Sequence, residues 1–170
     1  MELKYSDEKD KCYGVAGMAI SAFMLDFEDY IESVSLDRND IESVEFTPDF
    51  YISAGDSISA KQIWKYYVNR YQIASALLIS NVMSRSMILH RQEVAPDIHS
   101  KMIDTLKDFA ADDCQLEADE SLALFDKHYQ YLDRAYHNGR LHAVVEKLTD
   151  ELNSRRTLSH SELCDLLSGF

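Results

Sequence analysis

From Cys12 to Leu25 the chain is apolar almost without interruption, with Ser21 as its one clearly polar side chain. A helix that is apolar all round has to be buried on every side, so this stretch predicts a helix through the middle of the domain. Ser6, followed by Asp7 and Glu8, predicts its start, a capping hydroxyl with acids in the first turn, and the helix is expected to run to about Phe27. The period then changes. Tyr30, Glu32, Val34 and Leu36 alternate with Ile31, Ser33 and Ser35, which predicts a short strand. Asp37-Arg38-Asn39-Asp40 reads as a turn and Ser43 to Phe46 as a second short strand. Pro48 stops that strand, and Phe50-Tyr51-Ile52 continues the extended region.

Helical spacing returns after Gly55-Asp56-Ser57 and holds from about Ala60 to Gln92, with a break expected near Ser80-Asn81 because so long a helix is unusual in a globular domain. Pro96 opens a further helix through Met102, Ile103, Leu106 and Phe109. Ala118 to Tyr136 is another, stopped by Asn138-Gly139. Arg140 to Arg155 is amphipathic, and Ser159-His160-Ser161-Glu162 is a capping box for a last short helix ending near Ser168. The whole reads as mainly α, with a small β-sheet after the first helix and one domain over residues 1–170.

Composition narrows the function classes. A net charge of −13 and 46% hydrophobic residues describe an acidic globular chain. Such a chain disfavours nucleic acid, whose phosphates need Lys and Arg, and equally disfavours an anionic membrane surface. The N-terminus lacks a signal-peptide core and no run approaches the roughly 20 apolar residues of a membrane span. Cys12, Cys114 and Cys164 are odd in number and far apart, which predicts reduced thiols in a cytoplasmic protein.

Gly14 and Gly17 interrupt the apolar helix, each at a cost of about 1 kcal/mol relative to alanine. The run Cys12-Tyr13-Gly14-Val15-Ala16-Gly17-Met18-Ala19 resembles the zinc helix of FtsH-type ATP-dependent metalloproteases, which reads Ala-Tyr-His-Glu-Ala-Gly-His-Ala. There two histidines one turn apart bind zinc and the glutamate between them is the general base. Here Gly14 and Met18 stand at the ligand positions and Val15 at the base. The resemblance further implies a third ligand at Asp97, a sheet following the first helix with Val34-Ser35-Leu36 as its first strand, and a C-terminal close over Val145-Glu146-Lys147-Leu148 to Glu162-Leu163. It also implies ring-like self-association, so a homo-oligomer. Full-length members carry a membrane anchor and an ATPase module ahead of this domain, and neither is read in this sequence.

Other constellations were weighed against plain packing. Asp97 is also a first-turn acid favoured by the helix dipole, and His99 points to another face. His160 and Cys164 share a face as a possible metal half-site, His137 and His142 read as surface residues, and His128 as packing among tyrosines. Cys12 is the one nucleophile near the old site, and burial predicts an inert thiol. Trp64, Tyr66, Tyr67 and Tyr71 suit either a peptide groove or core and rim, and the acids Asp26, Glu28, Asp29 and Glu32 a solvated face. These observations lead to a non-catalytic pseudo-peptidase, without metal or cofactor, that binds a peptide or protein partner, by strand addition at a sheet edge. The alternatives are a hydrolase with a rebuilt centre and an unrelated acidic helical scaffold.

Overall fold

The apolar block becomes α1 (Glu8–Met24), in which every residue from Gly14 to Ala22 is buried. The structure, a computed structural model, describes residues 2–38, 40–51 and 59–168; Asn39, Ile52 and Gly55-Asp56-Ser57 lie outside them. Asp7, not Ser6, caps α1, its carboxylate accepting from the Asp10 amide at 2.8 Å. Ser6 instead turns its backbone N–H and its hydroxyl to the Asp10 carboxylate. The helix ends at Met24, short of Phe27, where Asp26 takes a positive φ of 56°.

A 3-10 turn (Glu28–Tyr30) leads into β1 (Ile31–Ser35), followed by β2 (Val44–Phe46). Beyond β2 the expectation of extended chain fails. Pro48 starts the short helix α2 (Pro48–Tyr51), as a fixed φ and a missing N–H allow at a first helical position. That turn folds Phe50 back onto Phe46, the rings stacked with centroids 4.0 Å apart.

α3 (Ala60–Met83) continues without a gap into a π-helical turn (Ser84–Leu89), so the expected break is a change of pitch a few residues later. α4 (Pro96–Asp113) has Pro96 in its first turn, and α5 (Ala118–Tyr136) follows. Asn138-Gly139 does not act as a left-handed stop. Asn138 caps α6 (Gly139–Arg155) by accepting from the Arg140 amide at 3.0 Å, and Gly139 is its first residue. The capping box at Ser159 and Glu162 forms and opens α7 (His160–Leu167). Before it lies a strand the periodicity did not predict, β3 (Thr157–Ser159).

β3 completes an antiparallel sheet in the order β2-β1-β3, with Val34 opposite both Val44 and Leu158. The chain is mainly α with this small sheet after the first helix. α1 packs chiefly on α3, α6 and the π turn, whereas α4 packs on α5 and α3. Gly17 explains how close α1 and α3 come. A Cβ there would lie 2.4 Å from the Ser80 carbonyl oxygen, so the two backbones touch. Residues 61–89 are long and apolar enough to cross a membrane, a stretch the sequence reading passed over; 72% of its most apolar window is buried inside the fold, as in a core helix.

Candidate functional site

Gly14, Val15 and Met18 line up on α1 as the helical period requires, and all three are buried. What faces Gly14 and Met18 is the chain's own N-terminal segment, together with α3. A Cβ on Gly14 would meet the Asn81 amide nitrogen and the Tyr5 ring, each at 2.7 Å, and those two side chains are joined by a 2.6 Å hydrogen bond. Met18 lines a small apolar cavity of about 200 Å³ with Leu3, Tyr5, Leu77 and Asn81. Asp97 sits elsewhere. Its side chain is 66% exposed at the start of α4, 3.8 Å from Lys101. Gly14, Val15 and Met18 are thus buried on one helix, whereas Asp97 is exposed in the first turn of another.

Arg85 ties down the N-terminal segment. It lies in the π turn, fully buried, and forks onto Asp10 through two hydrogen bonds of 2.7 Å. Its remaining donors reach the carbonyls of Glu2, Leu3 and Lys4, each at 2.9 Å, and its plane lies over the Tyr5 ring. Burial alone would raise the Asp10 pKa. The hydrogen bonds and charge from Arg85, with those from Ser6, outweigh it and hold the carboxyl below its ordinary 3.8. A π turn is a rare irregularity, and here its change of pitch accompanies a buried arginine aimed at the N-terminal segment.

An open cleft of about 700 Å³ is bounded by the connection after α1, the N-terminal half of α3 and the C-terminal half of α5. Tyr30, Tyr66 and Tyr131 form its aromatic walls, and Lys65, Lys127 and Arg134 face it against a single acid, Asp26. Among the described residues none of the three cations stands in an ion pair. His128 closes the floor, its Nδ1 2.6 Å from the Ser75 hydroxyl. Desolvation first, then Lys127, lowers the His128 pKa, so the imidazole is neutral at pH 7. Ser75 is fully buried and cannot meet a substrate, which removes the pair as a nucleophile–base dyad. The same end of α3 exposes Ile63 and Trp64, at 43% and 46%.

The other candidates fall into place individually. Cys12 donates to the Thr149 carbonyl, and burial, aided by Glu8 and Asp150, pushes its pKa up to about 12. Burial likewise pushes Cys114 up to about 11, so both thiols are inert. His99 packs edge-on against Phe125 and Tyr129. His160 Nε2 and Cys164 Sγ meet at 3.4 Å, while Nδ1 of the same ring faces the Ile31 carbonyl. Tyr71 is core, its hydroxyl donating to the Ser121 carbonyl.

Compared with protein-family models, with curated proteins and with solved structures, the chain finds no match in any of the three.

Sequence reasoning missed Arg85 and the cleft cations. Arg85 carried a local signal, a lone charge inside the apolar run from Leu77 to Leu89. Lys65, Lys127 and Arg134 carried none, because only the packing of α3 on α5 gathers them.

Proposed function

We propose that this chain is a non-catalytic binding protein that holds an acidic peptide segment in the cleft between α3, α5 and the connection that follows α1. The observation that carries this reading is charge. A chain with 30 acids and 17 basic residues turns three cations and one acid toward this cleft. Groups so arranged attract carboxylates and repel basic partners, while the tyrosines offer flat apolar surface with hydroxyls at the rim. The cleft supports peptide recognition better than the sheet does. Its edge strands β2 and β3 are three residues long, too short for a ladder of strand-addition hydrogen bonds to carry affinity.

A labelled peptide of glutamates interspersed with leucines, measured by fluorescence anisotropy against its lysine counterpart, tests the reading. The acidic peptide is expected to bind the wild-type chain more tightly, and more weakly as salt rises. Lys65→Glu with Lys127→Glu should weaken it roughly tenfold or more, about 1.4 kcal/mol. Equal binding of both peptides, or an unchanged double variant, overturns the proposal.

The FtsH-type relationship belongs to the same proposal and has its own test. What supports it is the order of elements, a long buried helix followed by a small sheet. On this reading Gly14→His, Val15→Glu and Met18→His, with Asn81→Ala to clear the space beside residue 14, should create a zinc site that includes Asp97. A folded variant that takes up no more zinc than the wild type removes the relationship and leaves the cleft untouched.

A further inference from the structure

Glu93, Asp133 and His137 come together where the loop after the π turn meets the end of α5. One ligating atom from each lies within 4.8 Å of the other two. Asp133 and His137 are one turn apart, and Arg91, with a φ of 54°, turns the intervening chain so that Glu93 arrives beside them. His137 Nδ1 lies 2.7 Å from the Asp133 carbonyl oxygen. A carbonyl can only accept, so Nδ1 carries a proton and Nε2 is the free position. Metal-binding histidines are oriented in this way, with the far ring nitrogen donating to a carbonyl.

The Asp133 carboxylate approaches the ring on its other side, 3.8 Å from Nδ1, while Nε2 faces the Glu93 carboxylate at 3.3 Å. Two acceptors at that distance repel unless a positive charge lies with them, either a proton on Nε2 or a metal ion. Ligands about 2 Å from a tetrahedral ion stand roughly 3.3 Å from one another, which is the separation seen for this pair. Glu93 and His137 also line a cavity of about 480 Å³, so an ion held here would keep positions open toward it.

We propose that Glu93, Asp133 and His137 bind a divalent transition-metal ion, with one imidazole and two carboxylates as protein ligands. Imidazole favours zinc and its neighbours over magnesium and calcium, whereas carboxylates alone would not. The site is separate from the peptide cleft and does not depend on it.

The test is zinc titration of the untagged chain at pH 7.5, in competition with a chromophoric chelator, with magnesium as the hard-ion control. The wild type should take up one zinc per chain. Glu93→Gln and His137→Gln, at side chains 74% and 52% exposed, should fold normally and bind roughly tenfold or more weakly. Cys164→Ser, which breaks the His160–Cys164 pair, should bind as the wild type does. Failure of the wild type to take up zinc overturns the site and leaves a proton as the charge between His137 and Glu93. Zinc binding unchanged in His137→Gln, or lost in Cys164→Ser, overturns it as well.

Discussion

The two ends of the α3 helix carry positive charge in opposite ways. At the C-terminal end Arg85 is sealed from water, with its donors spread over Asp10, Asn81 and three carbonyls. Toward the N-terminal end Lys65 stands exposed at the mouth of a cleft with Lys127 and Arg134 across from it. A buried arginine with full hydrogen bonding is a structural element, because removing either partner leaves a charge stranded in a poor solvent. Exposed cations outside any ion pair contribute little to folding and remain available to a ligand. Burial and satisfaction, rather than charge itself, separate the part that holds the fold from the part open to binding.

The harshest way to break the comparison is Arg85→Met. It should cost about 4 kcal/mol in urea denaturation and expose residues 2–6 to limited proteolysis. A loss below about 1 kcal/mol would show that the knot is not structural. Arg85→Lys should fail to restore it, since an ammonium cannot fork onto Asp10 while reaching three carbonyls. Next is Gly17→Ala, in which the new methyl meets the Ser80 carbonyl and forces α1 from α3, at about 3 kcal/mol by the same assay. A neutral result would mean the helices can part without cost.

A pH series sharpens the difference further. The Asp10 pKa is depressed in the folded state, so its contribution is complete above the ordinary value of 3.8 and is lost as pH falls through the folded pKa. In Arg85→Met burial alone raises the Asp10 pKa, so the stability gap to wild type should begin to narrow above pH 3.8, as the stranded carboxyl takes up a proton, and go on narrowing as pH falls through the depressed wild-type value. A gap that stays constant as pH falls would assign it to another group. The smallest effect belongs to the cleft. Lys65→Glu with Lys127→Glu should change stability by no more than about 0.5 kcal/mol, even as it weakens the acidic peptide. A large loss would place those lysines among the structural charges.

Local chemistry was legible in the sequence, and pairing across the chain was not. The all-apolar run of α1, the first strand and the Ser159–Glu162 capping box follow from neighbours within a few residues. β3 escaped because three residues carry no period, and its partners lie far back in β1. Asn138-Gly139 was misread because asparagine serves equally as a cap before a helix and as a stop after one. The candidate-site residues divide in the same way. Gly14, Val15 and Met18 share α1 and were placed by spacing, whereas Asp97 belongs to a helix that packs on α5 and α3.

Arg85 grips the N-terminal segment by its peptide carbonyls, and every residue type presents the same carbonyl. The side chains of Glu2 and Lys4 point to water and take no part in that grip. The segment can therefore drift in sequence at these positions while its path over α1 stays fixed, so a variable tail can cover an invariant seat.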